Sequence, residues 1–123
     1  MAKVNIDTGT DELLCEIEGK VATITLNRPD ARNALGDTLT PALRNMIKEM
    51  ATNDNVGTLL LTGSGTAFCA GGDVKSMGRS NPKIQPSTEE KINLLKIRQR
   101  TLTGTLKQFP KPTIASLPGP AAG

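Results

Sequence analysis

Apolar residues recur along this chain at two spacings, and those spacings divide it into elements. Leu13 to Glu18 alternates in part between apolar and polar, and Val21 to Leu26 is a β-branched, apolar run. With Gly19-Lys20 as a tight connection, the two runs predict a hairpin. Met1 to Thr10 is polar, and residues 1–12 are expected to form a loosely ordered N-terminus that carries no chemistry. Beyond Leu26 the strand has to stop, because Pro29 cannot donate to a ladder and disfavours helix at Arg28. The loop that follows carries two arginines, Arg28 and Arg32.

From Leu39 the spacing becomes helical. Leu39, Leu43, Met46, Ile47 and Met50 fall on one face and predict a core stripe. Thr38 is placed to cap this helix, which puts Pro41 in the first turn, where its missing N–H matters least. Asn53-Asp54-Asn55 ends it, and Val56 to Thr62 supplies the next strand, so the order strand, helix, strand predicts a parallel crossover. Gly78 to Ser87, polar with two prolines, is expected to be a mobile loop near a pocket. A second helix is predicted from Thr88, with Ser87 and Glu90 at capping-box spacing and Ile92, Leu95, Leu102, Leu106 and Phe109 as its stripe. Gly104 is its weak point, and Pro110 and Pro112 close it. Thr113 to Leu117 reads as a short buried strand leading into a loop at 118–123.

Between these elements lies the chemically suggestive stretch, Leu61 to Met77. It breaks at Gly63 and Gly65, returns to apolar residues, and turns again at Gly71-Gly72 before Asp73. Asp73 is placed to cap Val74–Met77, which sets Gly72 at a strand-to-helix junction with N–H groups not used by a helix. With no Cβ at Gly71 or Gly72, a ligand carbonyl can approach the main chain closely. The local N–H dipoles can then hold an oxyanion without a charged side chain. The same residues also fit a plain tight turn.

Composition removes other chemistries. A chain of 123 residues, 37% hydrophobic and 22% charged, is one ordinary globular domain at most. Phe68 and Phe109 are its only aromatic residues, which excludes a stacking platform for nucleic acid. The net charge of +3 is modest, and the basic residues between Lys91 and Lys107 read as a solvated helix face. Cys15 and Cys69 fit no metal-ligand spacing and there is no histidine, so neither a metal site nor a Ser-His or Cys-His arrangement is expected. No leader opens the chain and no run approaches the roughly 20 apolar residues of a membrane span. A cytoplasmic protein without membrane or nucleic-acid partners is expected.

Four separated blocks then carry a resemblance. Leu26-Asn27-Arg28-Pro29 with Asn33-Ala34-Leu35, Leu61-Thr62-Gly63, Ala67 to Lys75, and Lys111 to Ala115 with Gly119 closely resemble the enoyl-CoA hydratase/isomerase (crotonase) family. The resemblance runs from about Leu13 onward. It implies an α/β fold, a crotonase-like spiral of strand-strand-helix units, with residues 13–123 as the N-terminal part of a domain incomplete at its C-terminus. It also implies no permanently bound cofactor, an acyl-CoA substrate whose coenzyme A is the recognised group, and assembly as homotrimers or hexamers. Gly72 matches the first backbone donor of the oxyanion hole. Ala70, Asp73 and Val74 match positions around the adenine end of coenzyme A, largely through main-chain contacts. Arg32 is the candidate for its phosphates or else an ordinary surface arginine, and Arg28 is assigned to holding the loop. The second donor and the acid–base residues would fall beyond Gly123. Asp73 is better read as a turn or cap residue than as their replacement, and Glu89 and Glu90 as first-turn helix charges. Hydration of a 2-enoyl-CoA is the first reading. A double-bond isomerase and a non-catalytic acyl-CoA-binding or interaction module are the alternatives.

Overall fold

The computed structural model describes residues 2–73 and 87–122. Val74, with the rest of the segment 74–77 that Asp73 was expected to cap, and all but Ser87 of the loop expected at 78–87 lie outside the described residues. The predicted hairpin forms as β2 (Leu13–Glu18) and β3 (Val21–Leu26), paired antiparallel from Leu13↔Leu26 to Glu18↔Val21. Its turn places both Gly19 (φ 58°) and Lys20 (φ 66°) in the left-handed region, the backbone that a two-residue hairpin with the right twist requires. The stretch before Leu13, expected to be loosely ordered, supplies a strand. β1 (Val4–Ile6) pairs antiparallel with β2, and Ile6 packs on the core. Three residues are too short a run for an alternation to be read, so the pairing is decided by the edge that β2 offers.

β4 (Thr58–Gly63) follows α1 (Leu39–Thr52) and lies parallel to β3, as the crossover order predicts. The sheet runs β1-β2-β3-β4-β5 in space, with β5 (Thr113–Ala115) parallel to β4 at its edge. Leu13, Cys15 and Ile17 of β2, Ala22, Ile24 and Leu26 of β3, and Leu59 of β4 face the stripe Leu39, Leu43, Met46, Ile47 and Met50 of α1. Each Leu, Ile or Met side chain among them contributes about 1.5–3 kcal/mol when fully buried, so packing rather than a cap of about 1 kcal/mol holds α1.

Thr38 indeed makes no capping bond, contrary to the expectation. Its backbone is already helical (φ −93°, ψ −47°), whereas a capping side chain needs an extended backbone to reach inward. The other end of α1 is capped from a distance. The Lys111 ammonium donates to the carbonyls of Met50 (3.0 Å) and Asn53 (2.7 Å), a cation on the negative end of the helix dipole.

The second long helix also departs from its prediction. Ser87 and Glu90 form the capping box, each side chain bonding the other's main-chain N–H at 3.2 Å, and α2 runs Thr88–Thr101. The chain then breaks at Leu102 and resumes as α3 (Thr103–Lys107). Low helix propensity at Thr101, Thr103, Gly104 and Thr105 explains the break, and the hydroxyls of Thr101 and Thr105 bond back to the carbonyls of Ile97 and Thr101. The stripe is therefore split. Leu102, Leu106 and Phe109 pack on the core, while Ile92 (48%) and Leu95 (57%) are exposed. β5, expected as a buried strand over Thr113–Leu117, is shorter and exposed throughout, and it is an edge strand that pairs only with β4 among the described residues. Among the described residues no helix is long and apolar enough to cross a membrane.

The segments that follow β3, β4 and β5 are joined by two isolated parallel bridges outside the sheet. Leu35, after β3, bridges Gly72, and Cys69, after β4, bridges Ala121, which follows β5. The repetition of strand, bridge segment and helix is the spiral in miniature, and it stacks three loops side by side.

Candidate functional site

The loop 27–36 builds one wall of that stack. Pro29–Ala31 forms a single 3-10 turn, after which Arg32 (φ 51°) and Asn33 (φ 56°) both adopt left-handed backbone. Asparagine tolerates this conformation better than most residues. Its side chain repays the cost. Asn33 is fully buried, and its Nδ2 donates to the carbonyls of Ser64 and Ala67 at 3.0 Å each. Its Oδ1 accepts the Arg28 N–H at 2.7 Å. Gly63 is forced by the same contact, since a Cβ there would lie 2.8 Å from Asn33 Nδ2 and 2.6 Å from the Phe68 carbonyl oxygen. Asn33 thus ties the arginine loop to the turn that launches residues 67–73.

Those residues run between two neighbours. On one side the Ala70 N–H donates to the Arg32 carbonyl (3.0 Å), the Leu35 N–H to the Gly71 carbonyl (2.7 Å), and the Asp73 N–H to the Leu35 carbonyl (3.1 Å). On the other, the Phe68 N–H donates to the Pro120 carbonyl (3.0 Å) and the Ala122 N–H to the Cys69 carbonyl (2.8 Å). Gly119 permits this approach, because a Cβ on it would collide with the Thr66 carbonyl oxygen. Gly71 has φ 94°, a backbone open to glycine, and its N–H donates to the Cys69 sulfur at 3.4 Å.

Gly72 is left in an unusual state. Both flanking peptide groups are committed to Leu35, which by strand geometry directs the Gly72 N–H away from that loop. Gly72 is exposed, and among the described residues its N–H has no acceptor. An ordered, unspent backbone donor at a surface is what an incoming carbonyl oxygen requires.

The other candidates divide. Arg32 is exposed and its guanidinium makes no bond among the described residues, while its carbonyl holds Ala70. Ala70 spends its N–H on that bond, and its carbonyl accepts none among the described residues. Asp73 commits its N–H to Leu35 and its carboxylate to Arg28. Val74 lies outside the described residues. Arg28 holds the loop through its contacts with Glu12, Ala34 and Asp73.

Two structural contributors were not legible as such. Asn33 had one available signal, its tolerance of left-handed backbone in a loop next to a proline turn. The Arg28–Asp73 contact joins residues 45 apart and had none. A cleft of about 460 Å³ lies elsewhere, lined by Asn5, Asp7, Leu14, Glu16, Thr23 and Thr25 among others, and includes none of the site candidates. Among the described residues no cluster of three or more His, Cys, Asp or Glu is placed to hold a metal ion.

Fold and site together define an α/β protein whose stacked loops present a main-chain donor beside a basic loop. The family model described as Enoyl-CoA hydratase/isomerase matches residues 21–123. The 1,2-epoxyphenylacetyl-CoA isomerase of Escherichia coli is 33% identical over 111 residues, covering 90% of this chain and 41% of that protein. An enoyl-CoA hydratase structure from Mycobacterium smegmatis superposes with a TM-score of 0.72 at 36% identity, covering 86% of this chain and 39% of that one. An enoyl-CoA hydratase/isomerase structure from Xanthobacter autotrophicus Py2 gives 0.78 at 28% identity over 89% of this chain and 39% of that one. This chain belongs to the enoyl-CoA hydratase/isomerase family and has its crotonase fold. It spans about two fifths of the length of these relatives.

Proposed function

We propose that this protein binds an acyl-CoA thioester with the carbonyl oxygen on the Gly72 N–H, and that it acts in the hydration of a 2-enoyl-CoA. In that reaction water adds at C3, the π electrons of the double bond move onto the thioester oxygen, and the resulting enolate is protonated at C2. The charge that must be stabilised develops on one oxygen, and a fixed amide dipole serves it at little reorganisation cost, typically about 3 kcal/mol per donor. The observation that carries the reading is the Gly72 N–H, held in place by its neighbours' bonds to Leu35 and bonded to nothing itself among the described residues.

Arg32 supplies a cation for the coenzyme A phosphates, with the Ala70 carbonyl as an acceptor toward the adenine. Asp73 is kept as a main-chain neighbour of that end, its carboxylate being committed to Arg28. Val74 is assigned to the same end by the family resemblance alone. Movement of a double bond passes through a dienolate whose charge falls on the same thioester oxygen, and the family description Enoyl-CoA hydratase/isomerase supports isomerisation as the second reading.

The test is the ¹³C shift of acetyl-CoA labelled at the thioester carbon. It is titrated into the protein and into a semisynthetic form in which an ester replaces the Gly71–Gly72 peptide, which deletes that N–H and weakens the Gly71 carbonyl as acceptor for Leu35. A downfield displacement that shrinks in the ester form is expected. Equal displacement in both forms would remove Gly72 from the oxyanion site. In a preparation that hydrates crotonyl-CoA, the ester should lower kcat by about 10²–10³. A preparation that shifts the double bond of a 3-enoyl-CoA without hydrating crotonyl-CoA would favour the isomerase.

A further inference from the structure

A Gly-Gly pair is the least restrained backbone a chain can offer, and neither glycine has a side chain to pack. An amide donor stabilises a developing charge only if it is already aimed, so something outside the pair has to hold it. The two bonds to Leu35 are one restraint. The second comes from a side chain far away in the sequence.

All three nitrogens of the Arg28 guanidinium face protein oxygens. Nε lies 2.7 Å from Glu12 Oε1, Nη1 donates to the Ala34 carbonyl at 2.7 Å, and Nη1 and Nη2 both reach Asp73 Oδ2 at 3.2 Å. The pair is sheltered, with Arg28 22% and Asp73 13% exposed. Shelter strengthens charge-assisted bonds relative to those on an open surface. Gly36 keeps the space, because a Cβ there would stand 2.7 Å from Arg28 Nη1 and 3.0 Å from Asp73 Oδ2. One guanidinium therefore fastens the residue that follows Gly72, the residue that precedes Leu35, and the start of the hairpin at Glu12. So engaged, it is not offered to a phosphate.

We propose that Arg28 is a positioning residue for the Gly72 amide: through the Asp73 carboxylate and the Ala34 carbonyl it fixes both strands of the Leu35–Gly72 bridge. This rests on the reading of Gly72 as the oxyanion donor, and it assigns Arg28 to the aim of that donor rather than to ligand contact.

The experiment is ¹⁵N relaxation of the ligand-free protein, comparing the parent with Arg28→Met, Arg28→Lys and Asp73→Asn, followed by the acetyl-CoA ¹³C titration on each. The Gly72 order parameter is expected to drop from about 0.85 in the parent to below about 0.6 in Arg28→Met, with α1 amides unchanged. Arg28→Lys, which keeps the charge without the fork, should be intermediate. Acetyl-CoA affinity should change little in the two Arg28 variants while the thioester carbon loses its downfield displacement, a split that a merely structural role would not produce. A Gly72 order parameter that stays at the parent value in Arg28→Met overturns the proposal. Should Arg28→Met not fold, the same criterion applies to Arg28→Lys and Asp73→Asn. If the parent gives no carbon displacement but Gly72 still loosens in the variants, the oxyanion reading fails and the positioning of this amide by Arg28 stands.

Discussion

Arg32 and Arg28 stand four positions apart in one loop and do opposite things. The left-handed backbone at Arg32 turns its side chain out to solvent while its carbonyl stays bonded to Ala70. Its guanidinium makes no bond among the described residues, which is the basis for proposing it as a ligand contact. Replacing Arg32 with Ala should weaken coenzyme A more than dephospho-coenzyme A if it meets the ribose phosphate, and calorimetric titration of both ligands measures the difference. Equal losses would rule that contact out. Cys15 shows residue-scale physics of another kind. Burial, with smaller contributions from the Glu49 and Glu16 carboxylates, pushes its thiol from 9.0 up to about 11. The folded protein then holds a proton that the unfolded chain gives up near pH 9. The stability due to this group is complete below that pH and lost as pH rises toward 11, at no more than about 1.4 kcal/mol per unit. Urea unfolding should show the parent losing stability relative to Cys15→Ala between about pH 9 and about pH 11. A constant difference across that window would mean the thiol is not held in its neutral form.

At the scale of elements, the two long helices were both predicted, yet they are held differently. α1 lacks a side-chain cap at Thr38 but buries five residues of its stripe against the sheet and borrows Lys111 for its last turn. α2 has its capping box but exposes Ile92, Leu94, Leu95 and Ile97, and it packs chiefly on the short α3. A capping box contributes on the order of 1 kcal/mol, several-fold less than a buried stripe. Native-state hydrogen exchange should therefore find the amides of α1 and β2–β4 opening only with global unfolding, and those of α2 opening locally at much lower free energy. Equal protection in α1 and α2 would show that α2 is covered by something other than α3. The break at Leu102 marks the limit of reading a stripe from spacing. The period continued across Thr101 to Thr105, but the threonines and Gly104 favoured a break, and the two halves of the stripe then faced different surroundings.

For the molecule as a whole, the sequence determined what local chemistry can dictate. The hairpin follows from its alternation and its Gly19-Lys20 turn, α1 from a five-residue apolar face, the parallel crossover from element order, and the end of β3 from Pro29. It also marked Gly71-Gly72 as a place where a main chain can meet a ligand, since glycine alone leaves that backbone bare. Tertiary structure decided the rest, because each remaining feature depends on partners distant in sequence. β1 became a strand only because β2 had a free edge, and the exposure of β5 depends on what packs over its faces, which its own sequence does not record. That the Gly72 N–H has no acceptor among the described residues follows from where Leu35 lay, and Leu35 was placed by Asn33 and Arg28 reaching Ala67 and Asp73 across 34 and 45 residues. Periodicity reports which face of an element is apolar. It carries no record of which carbonyl a buried carboxamide finds, and here that contact helps to place Leu35 against Gly71 and Asp73.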